Sequence, residues 1–357
     1  MPVFSSCHPP PVACHPSLMS LSSHPAALEA PQVAATRIFS LIASELAAVE
    51  SEFERQARSN IEVIAYIGDY LRASGGKRVR PALTILSTYA AGGDAAQPNV
   101  IRMATVMEFL HTATLVHDDI IDNAETRRNR PSINQRFGNQ TAVLMGDWLY
   151  MSAFEASLSE RSLPVLDILT AVTRRMTEGE ILQLTTLGSC DVTEEQYFDI
   201  LMRKTAYLFS ACGEIGAMLG SSDVETQLAL RNYGMNLGAA FQLVDDLLDF
   251  TATDDVLGKA AGVDLVEGKL TLPLIYLLET ERERRTAIQT VMREGTYEAI
   301  SRASLTRAAE QSGALDRARR RANDFAAAAR NSLDALPDTK YREALSSIPT
   351  FILERDR

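Results

Sequence analysis

The sequence has few of the features that mark secreted, membrane-spanning or nucleic-acid-binding proteins. Its four cysteines among 357 residues show no paired disulfide framework, which is typical of a reducing compartment. No run of about 18 apolar residues is present, and a bilayer-spanning helix would need one. The net charge is −11 without a basic stripe, which argues against general nucleic-acid binding. We therefore predict a cytoplasmic protein without a nucleic-acid partner.

The first 31 residues are unlike the remainder of the chain. They are rich in Pro, Ser and His, and neither Lys nor Arg occurs before Arg37. A secretory signal needs a basic start and a continuous apolar core, and a transit peptide needs arginines, so neither is indicated. We expect residues 1–31 to form a disordered tail, with Met19 as an alternative start, and residues 32–357 to form one large domain.

Helical periodicity dominates the rest of the sequence. Apolar residues recur three and four positions apart, as on one face of an α-helix, and Gly, Pro and Asp or Asn separate the segments. Helices are predicted over residues 34–71, 82–91, 100–122, 141–158, 163–187, 194–220, 225–250, 270–279, 284–294, 305–312 and 315–336. No strand or hairpin signal is persuasive. The predicted fold class is all-α: a single large bundle of roughly a dozen helices.

Two acidic motifs, 127 residues apart, each end an apolar helical stretch. They consist of Asp118, Asp119 and Asp122, and of Asp245, Asp246 and Asp249. Helical residues four positions apart share a face, so the first and last carboxylates of a motif project together. Carboxylates gathered at the end of a buried helix repel one another unless a cation neutralises them. Mg²⁺ prefers such oxygen ligands when it also holds phosphate, so the pattern predicts a metal-bridged diphosphate.

Two basic segments accompany the acidic motifs. The first, GGKRVRP, is predicted to form a tight loop before a helix N-terminus, where backbone N–H groups and the helix dipole favour an anion. Its basic residues are Lys77, Arg78 and Arg80. A solvated basic turn is an equally good interpretation of this loop alone. The second segment, Asp254–Pro273, is irregular, carries Lys259 and Lys269, and is predicted to be a lid.

Taken together, these motifs resemble the trans-isoprenyl diphosphate synthase family. The resemblance is carried by the two DDxxD motifs, GGKRVRP, the pair Arg127–Arg128 and EGKLTLP, and it extends from about Ala34 to the C-terminus. Within the family, the chain is most similar to the bacterial members that make octaprenyl diphosphate for respiratory quinones. The family's fold is a type I isoprenoid synthase bundle around a central cavity, which would make residues 32–357 the catalytic domain.

The resemblance implies a Mg²⁺-dependent prenyltransferase. Its substrates would be isopentenyl diphosphate and an allylic diphosphate, joined head to tail (1′-4) into a long all-trans polyprenyl diphosphate. The family implies three Mg²⁺ ions in each active site. It also implies a homodimer in which each subunit carries its own site, and transient contact with a membrane surface when the apolar product leaves.

The family's functional residues can be matched to individual positions of this chain. The resemblance assigns metal binding to all six motif aspartates, with Asp118, Asp122 and Asp245 as the principal ligands. It assigns binding of isopentenyl diphosphate to Lys77, Arg80, His111 and Arg128. It assigns binding of the allylic diphosphate to Arg127, Lys204, Lys259 and Lys269. Thr205 and Gln242 match the polar groups that face the reacting carbon, and with Lys204 and Arg127 they form the catalytic group.

Product length is predicted from the residues below the first acidic motif. In this family a Phe or Tyr five residues before the first Asp closes the elongation tunnel early, whereas this chain has Ala113 there, followed by Thr114. Both are small, so the resemblance implies a product of C35–C50, centred on C40. A helical wheel places Thr114 more squarely beneath Asp118, and Met145 or Leu144 is a candidate for the tunnel floor.

Three other functions share parts of this pattern. A class I terpene cyclase has the first acidic motif but usually lacks a second DDxxD and the isopentenyl-binding loop, both of which are present here. A non-catalytic partner subunit typically loses one aspartate cluster, and this chain retains both. A synthase of shorter farnesyl or geranylgeranyl chains would share every motif, so that alternative stays open.

Overall fold

The computed structural model describes residues 31–73, 75–127, 130–220, 223–251 and 261–354. The expected N-terminal tail, apart from Pro31, lies outside these residues, as do Arg128 and Lys259. The described part of the chain is almost entirely helical, which confirms the all-α prediction. Within it, no helix combines the length and the apolar character that crossing a membrane would require.

The helices are numbered here in chain order. They are α1 Pro31–Ser40, α2 Ala43–Gln56, α3 Glu62–Ala73, α4 Val79–Ala90, α5 Pro98–Ile121, α6 Ile133–Phe137, α7 Asn139–Leu158, α8 Leu163–Thr186, α9 Glu194–Leu201, α10 Tyr207–Leu219, α11 Val224–Thr251, α12 Val263–Val266, α13 Leu272–Thr280, α14 Arg285–Glu294, α15 Arg302–Gln311, α16 Ala314–Asn331 and α17 Lys340–Leu353. A π turn, Met202–Ala206, joins α9 to α10, and a 3₁₀ turn, Arg282–Arg284, precedes α14. Strands β1 Thr126–Arg127 and β2 Arg130–Pro131 pair antiparallel.

Each acidic motif lies at the C-terminal end of a long central helix. The first lies at the end of α5, which packs against α4 and α7, and the second at the end of α11, which packs against α10 and α16. Apolar side chains of both helices, such as Phe109 on α5 and Tyr233 on α11, are fully buried in the core. The contact of α10 with α11 is so close that a Cβ at Gly234 would stand 2.3 Å from the carbonyl oxygen of Phe209. This packing brings the ends of α5 and α11 to one cavity.

Glycine and proline predicted one helix boundary correctly. Helix α3 ends at Ala73 and α4 begins at Val79, with Pro81 in its first turn. Gly75 between them has φ +70°, a left-handed conformation that glycine adopts without a steric penalty. Arg78 also has a positive φ, 47°, which is uncommon for a residue with a side chain. The contacts of the Arg78 guanidinium, described below, hold it there.

Several elements depart from what the periodicity predicted. The helix predicted over residues 34–71 is divided into α1, α2 and α3, and the short helices α6 and α12 were not predicted. The helix predicted over residues 194–220 is divided by the π turn. Strands β1 and β2 have two residues each, too few to leave an alternating pattern. Helix α17 was not predicted, and it contains Pro349, whose missing N–H and bulky ring weaken a helical signal.

Candidate active site

A cavity of about 790 Å³ opens where α5 and α11 end. The predicted site residues that line it are Lys77, Arg80, His111, Thr114, Asp118, Asp122, Arg127, Lys204, Thr205, Gln242, Asp245, Asp246 and Lys269. Acidic side chains from both motifs and basic side chains from both halves of the chain therefore share one chamber. Arg128 and Lys259 lie outside the described residues.

Asp118 is the carboxylate of the first motif that most needs a partner. Its Oδ1 atom is buried and has no hydrogen-bond partner among the described residues. Burial, then the nearby charge of Glu180, raises the pKa of Asp118 to about 7, although Lys204 acts in the opposite direction. A buried acceptor without a donor, next to further carboxylates, fits a bound divalent cation.

Asp119 has a different environment, although it is the next residue in the motif. It is 2% exposed, and its Oδ1 accepts a hydrogen bond from Nε of Arg127 at 2.7 Å and forms an ion pair with Nη2 at 2.6 Å. Arg127 belongs to β1, and the hairpin of β1 and β2 is fastened to α3 because the Tyr70 hydroxyl donates to the carbonyl oxygen of Pro131 at 2.8 Å. Asp119 therefore fixes Arg127 against the cavity wall. Of these two described residues, Arg127 lines the cavity and Asp119 does not.

Asp122 connects the first motif to a segment far along the chain. It follows α5 as its C-terminal cap, and its Oδ2 lies 3.1 Å from Nζ of Lys269. The same ammonium group lies 2.7 Å from Glu267. Burial alone would lower the pKa of Lys269, but Asp122 and Glu267 outweigh it and raise the pKa above its usual value. Lys269 is therefore a permanent cation facing the first motif.

The aspartates of the second motif also differ in their environments. Asp245 and Asp246 line the cavity. Both oxygens of Asp246 accept hydrogen bonds, from the Tyr197 hydroxyl at 2.5 Å and from the Gln242 amide at 2.8 Å. Burial, followed by the charge of Asp264, raises the pKa of Asp246 to about 7.

Asp249 fastens the chain that leaves the site. Its Oδ2 accepts a hydrogen bond from the backbone N–H of Asp264 at 3.1 Å, and its carbonyl oxygen accepts one from the N–H of Gly262 at 2.7 Å. Asp249 therefore anchors the segment that carries Lys269. Among the described residues, Asp264 lines the cavity and Asp249 does not.

The basic loop before α4 contains two kinds of arginine. Lys77 and Arg80 line the cavity, and the Arg80 guanidinium lies 4.8 Å from the centroid of the Phe209 ring. Arg78 also lines the cavity, but its guanidinium forms ion pairs with Glu108 at 2.7 Å and with Glu50 on α2, whose Oε2 lies 3.1 Å from Nη2. Because its charge is paired with two carboxylates, Arg78 holds the loop against α2 and α5.

Lys204 lies on the π turn and is held by two polar side chains of α8. Its Nζ lies 2.8 Å from Glu180 and donates a hydrogen bond to Gln183. The π turn approaches α8 so closely that a Cβ at Gly179 would stand 2.7 Å from Cβ of Arg203. π turns often occur at functional sites because they redirect side chains of a helix, and this one directs Lys204 and Thr205 into the cavity.

The residues predicted to control product length occupy different places. Thr114 lines the cavity together with Leu115 and Met176. Ala113 and Met145 are both buried in the core, and the lining seen in the described residues includes neither. Leu144 is 68% exposed on α7, so it points away from the core and cannot form a tunnel floor within this chain.

Several residues of the cavity were not predicted from the sequence. Glu180 and Gln183 lie on one face of α8, where polar residues at helical spacing look like a solvated surface. Tyr197 looks like an ordinary core tyrosine, and Asp264 falls in a segment without periodicity. None of these positions carries a local signal, because only the packing of α8, α9 and α12 around the ends of α5 and α11 makes them neighbours of the acidic motifs.

Comparison with known proteins agrees with this geometry. The chain matches the polyprenyl synthetase family over residues 61–306. It is 38% identical to octaprenyl diphosphate synthase of Escherichia coli (strain K12) over 90% of this chain and 99% of that protein.

Solved structures give the same result for the fold. A polyprenyl synthase from Caulobacter crescentus, crystallised with calcium and isoprenyl diphosphate, is 35% identical and superposes with a TM-score of 0.85, covering 90% of this chain and 98% of that one. A decaprenyl diphosphate synthase from Rhodobacter capsulatus is 33% identical with a TM-score of 0.85, covering 90% and 99%. The chain is therefore a prenyltransferase and belongs to the polyprenyl synthetase family.

Proposed function

We propose that this enzyme condenses isopentenyl diphosphate with an allylic diphosphate, in a Mg²⁺-dependent head-to-tail reaction, to give a long all-trans polyprenyl diphosphate. The observation that carries the proposal is the meeting of two acidic motifs and six basic side chains around one cavity. The basic side chains that line it are Lys77, Arg78, Arg80, Arg127, Lys204 and Lys269. Two diphosphates need cationic partners, and the departing one needs a divalent ion as well.

The metal would be held by Asp118, Asp122 and Asp245, which all line the cavity. The unpartnered Oδ1 of Asp118 supports this assignment, because a cation would satisfy it and return the carboxyl to its charged form. The relative from Caulobacter crescentus was crystallised with calcium and isoprenyl diphosphate, which supports the use of a divalent ion together with a diphosphate. Bound Mg²⁺ would neutralise the negative charge that accumulates on the departing diphosphate.

The side chains of the cavity would perform the remaining work. Lys204, Lys269 and Arg127 would bind the allylic diphosphate and stabilise it as its C–O bond breaks. Lys77, Arg80 and His111, with Arg128, would hold isopentenyl diphosphate so that its double bond faces the allylic carbon. The new bond joins C1 of the allylic chain to C4 of the isopentenyl unit. A proton then leaves C2 of that unit, and the released diphosphate accepts it.

The product is proposed to contain about eight isoprene units, within a range of C35–C50, and to serve as a quinone side chain. Thr114 is small and lines the cavity one turn before Asp118, so the wall leaves room for a growing chain. The octaprenyl and decaprenyl products in the names of two relatives support the same length class. Release of such an apolar product would involve transient contact with a membrane surface.

A homodimer is proposed from the apolar face of the hairpin formed by α7 and α8. Val143, Leu144 and Met151 on α7 are exposed, as are Ile181 and Leu184 on α8. Exposed apolar patches of this kind typically mark protein–protein interfaces. Leu144→Glu would place charges in that interface, so light scattering is expected to show a monomer. Val224→Glu, at an equally exposed site on α11, should leave the dimer intact, and a monomeric unmodified enzyme would contradict the proposal.

The reaction itself can be tested by diphosphate release. The purified enzyme, with farnesyl diphosphate and isopentenyl diphosphate, is expected to release diphosphate in Mg²⁺ and to stop when EDTA is added. Asp118→Asn removes a proposed metal ligand and should lower kcat by about 100-fold or more. Asp69→Asn, an exposed position on α3, is the control and should retain activity. Release that is indifferent to EDTA would contradict the metal assignment.

A further inference from the structure

A chain of hydrogen bonds links a buried tyrosine to the cavity wall. The Tyr197 hydroxyl donates to Oδ2 of Asp246 at 2.5 Å. Nε2 of Gln242 donates to Oδ1 of Asp246 at 2.8 Å, and Oγ1 of Thr205 donates to Oε1 of Gln242 at 2.8 Å. Tyr197, Asp246 and Thr205 are each less than 9% exposed, so water does not compete freely for these bonds.

The chemistry of these groups determines which of them donates and which accepts in each hydrogen bond. In its charged form a carboxylate can only accept hydrogen bonds, so ionised Asp246 receives the tyrosine hydroxyl and the NH₂ end of Gln242. The oxygen end of Gln242 then faces Thr205 and takes the hydroxyl proton. As a result, Thr205 presents oxygen lone pairs to the cavity and no proton.

The backbone around Tyr197 holds its side chain in position at the start of this series of hydrogen bonds. Helix α9 begins with a capping box, in which Thr193 and Gln196 each bond the backbone N–H of the other, and Tyr197 is the next residue. The ring of Tyr197 packs edge-on against Phe198 with centroids 5.4 Å apart. The π turn that carries Thr205 follows directly after α9, so tyrosine and threonine are fixed by one continuous element.

We propose that Tyr197 is a positioning residue, whose hydroxyl acts through Asp246 and Gln242 to orient the Thr205 oxygen toward the reacting allylic carbon. That carbon gains positive charge as the C–O bond breaks, and a fixed oxygen lone pair stabilises such charge without reorganisation. The inference rests on the proposed condensation. It also gives Asp246 a different role from Asp118, because both oxygens of Asp246 already accept hydrogen bonds from the protein.

The test is the substitution Tyr197→Phe, which removes one oxygen and leaves the ring in place. We expect kcat to fall about 10-fold, while KM for isopentenyl diphosphate and for farnesyl diphosphate changes by less than about 2-fold. Tyr233→Phe is the matched control, because Tyr233 is also buried and its hydroxyl donates to the carbonyl oxygen of Leu345 at 2.7 Å, far from the cavity. Both variants should lose similar thermal stability, but only Tyr197→Phe should lose turnover.

A double-mutant cycle with Thr205→Val tests whether Tyr197 acts through the chain. In the Thr205→Val background, Tyr197→Phe should change kcat by less than about 2-fold, because the group that it orients is gone. Additive losses would overturn the inference, and so would an unchanged kcat for Tyr197→Phe alone in an active enzyme. Absence of product from the unmodified enzyme would instead overturn the proposed condensation, and this inference with it.

Discussion

At the scale of single residues, the first acidic motif shows how much of a site lies outside its sequence pattern. The pattern predicted three carboxylates on one helix end, and the structure has them there. It did not predict their environments: Asp118 has an unpartnered oxygen, Asp119 is paired with Arg127, and Asp122 faces Lys269. Those partners come from β1 and from the segment before α13, so their positions depend on tertiary packing.

Arg78 offers a test at this scale. Arg78→Met would leave the carboxylate of Glu108, whose side chain is 5% exposed, without its cationic partner. The other residue paired with Arg78 is Glu50, which is also a carboxylate and cannot replace the arginine. Removing one partner of a buried ion pair destabilises a protein by roughly 3 kcal/mol. Urea unfolding should show a loss of that order, and KM for isopentenyl diphosphate should rise about 10-fold because the loop of Lys77 and Arg80 loses its anchor.

The control for this prediction is an exposed arginine. Arg72→Met removes a pair with Asp69 at 3.6 Å in which both side chains are largely exposed. Surface pairs contribute about 0–1 kcal/mol, so this variant should be nearly as stable as the unmodified enzyme. Equal stability of the two variants would show that Arg78 does not hold the loop.

At the scale of elements, the sequence predicted the helices that carry the site. It did not predict the π turn that directs Lys204 and Thr205 into the cavity. The helical pattern over residues 194–220 is continuous, because a π turn adds one residue without interrupting the apolar face. The loop before α4 was predicted better, since Gly75 and Pro81 have local conformational preferences that do not depend on packing. Local stereochemistry can be read from sequence, whereas an insertion stabilised by a neighbouring helix cannot.

Gly179 tests the dependence of the π turn on α8. A Cβ at this position would stand 2.7 Å from Cβ of Arg203 and 3.0 Å from the backbone nitrogen of Lys204. In a helix, Gly→Ala usually stabilises by about 1 kcal/mol, but here the methyl group must displace the π turn. We expect Gly179→Ala to lower kcat about 10-fold or more, since Lys204 and Thr205 move with the turn.

A second added methyl group serves as the comparison. In Gly68→Ala on α3, the new Cβ would approach Cβ of Ala57 at 3.2 Å, and the change lies away from the cavity. It should affect melting temperature and leave turnover within about 2-fold of the unmodified enzyme. Turnover of Gly179→Ala equal to that of Gly68→Ala would contradict the role given to the π turn.

At the scale of the whole molecule, the active site reduces the stability of the fold that surrounds it. Burial raises the pKa of Asp118 and of Asp246 to about 7 from an ordinary value of 3.8. Between those two values the folded chain binds more protons than the unfolded chain, so the free energy of unfolding falls as pH rises from about 4 to about 7. Above pH 7 the penalty is complete, and a bound divalent ion should remove it.

Asp118→Asn isolates this effect from the other carboxylates. In EDTA at pH 8, the variant should be more stable than the unmodified enzyme by on the order of 2 kcal/mol, and the difference should vanish once the pH falls below about 4. With excess Mg²⁺ the order at pH 8 should reverse, since the unmodified enzyme gains the energy of metal binding. Urea unfolding at the two pH values measures this, and a variant that is equally stable under all conditions would contradict the metal site.

The most direct test of the central claim is the size of the product. Purified enzyme is incubated with farnesyl diphosphate, labelled isopentenyl diphosphate and Mg²⁺, and the chains are sized after dephosphorylation. We expect products of seven to ten isoprene units, and shorter ones from Thr114→Tyr, because a larger side chain would narrow the wall beneath Asp118. A C15 or C20 product from the unmodified enzyme would contradict the proposed length, and no product at all would favour a non-catalytic partner subunit.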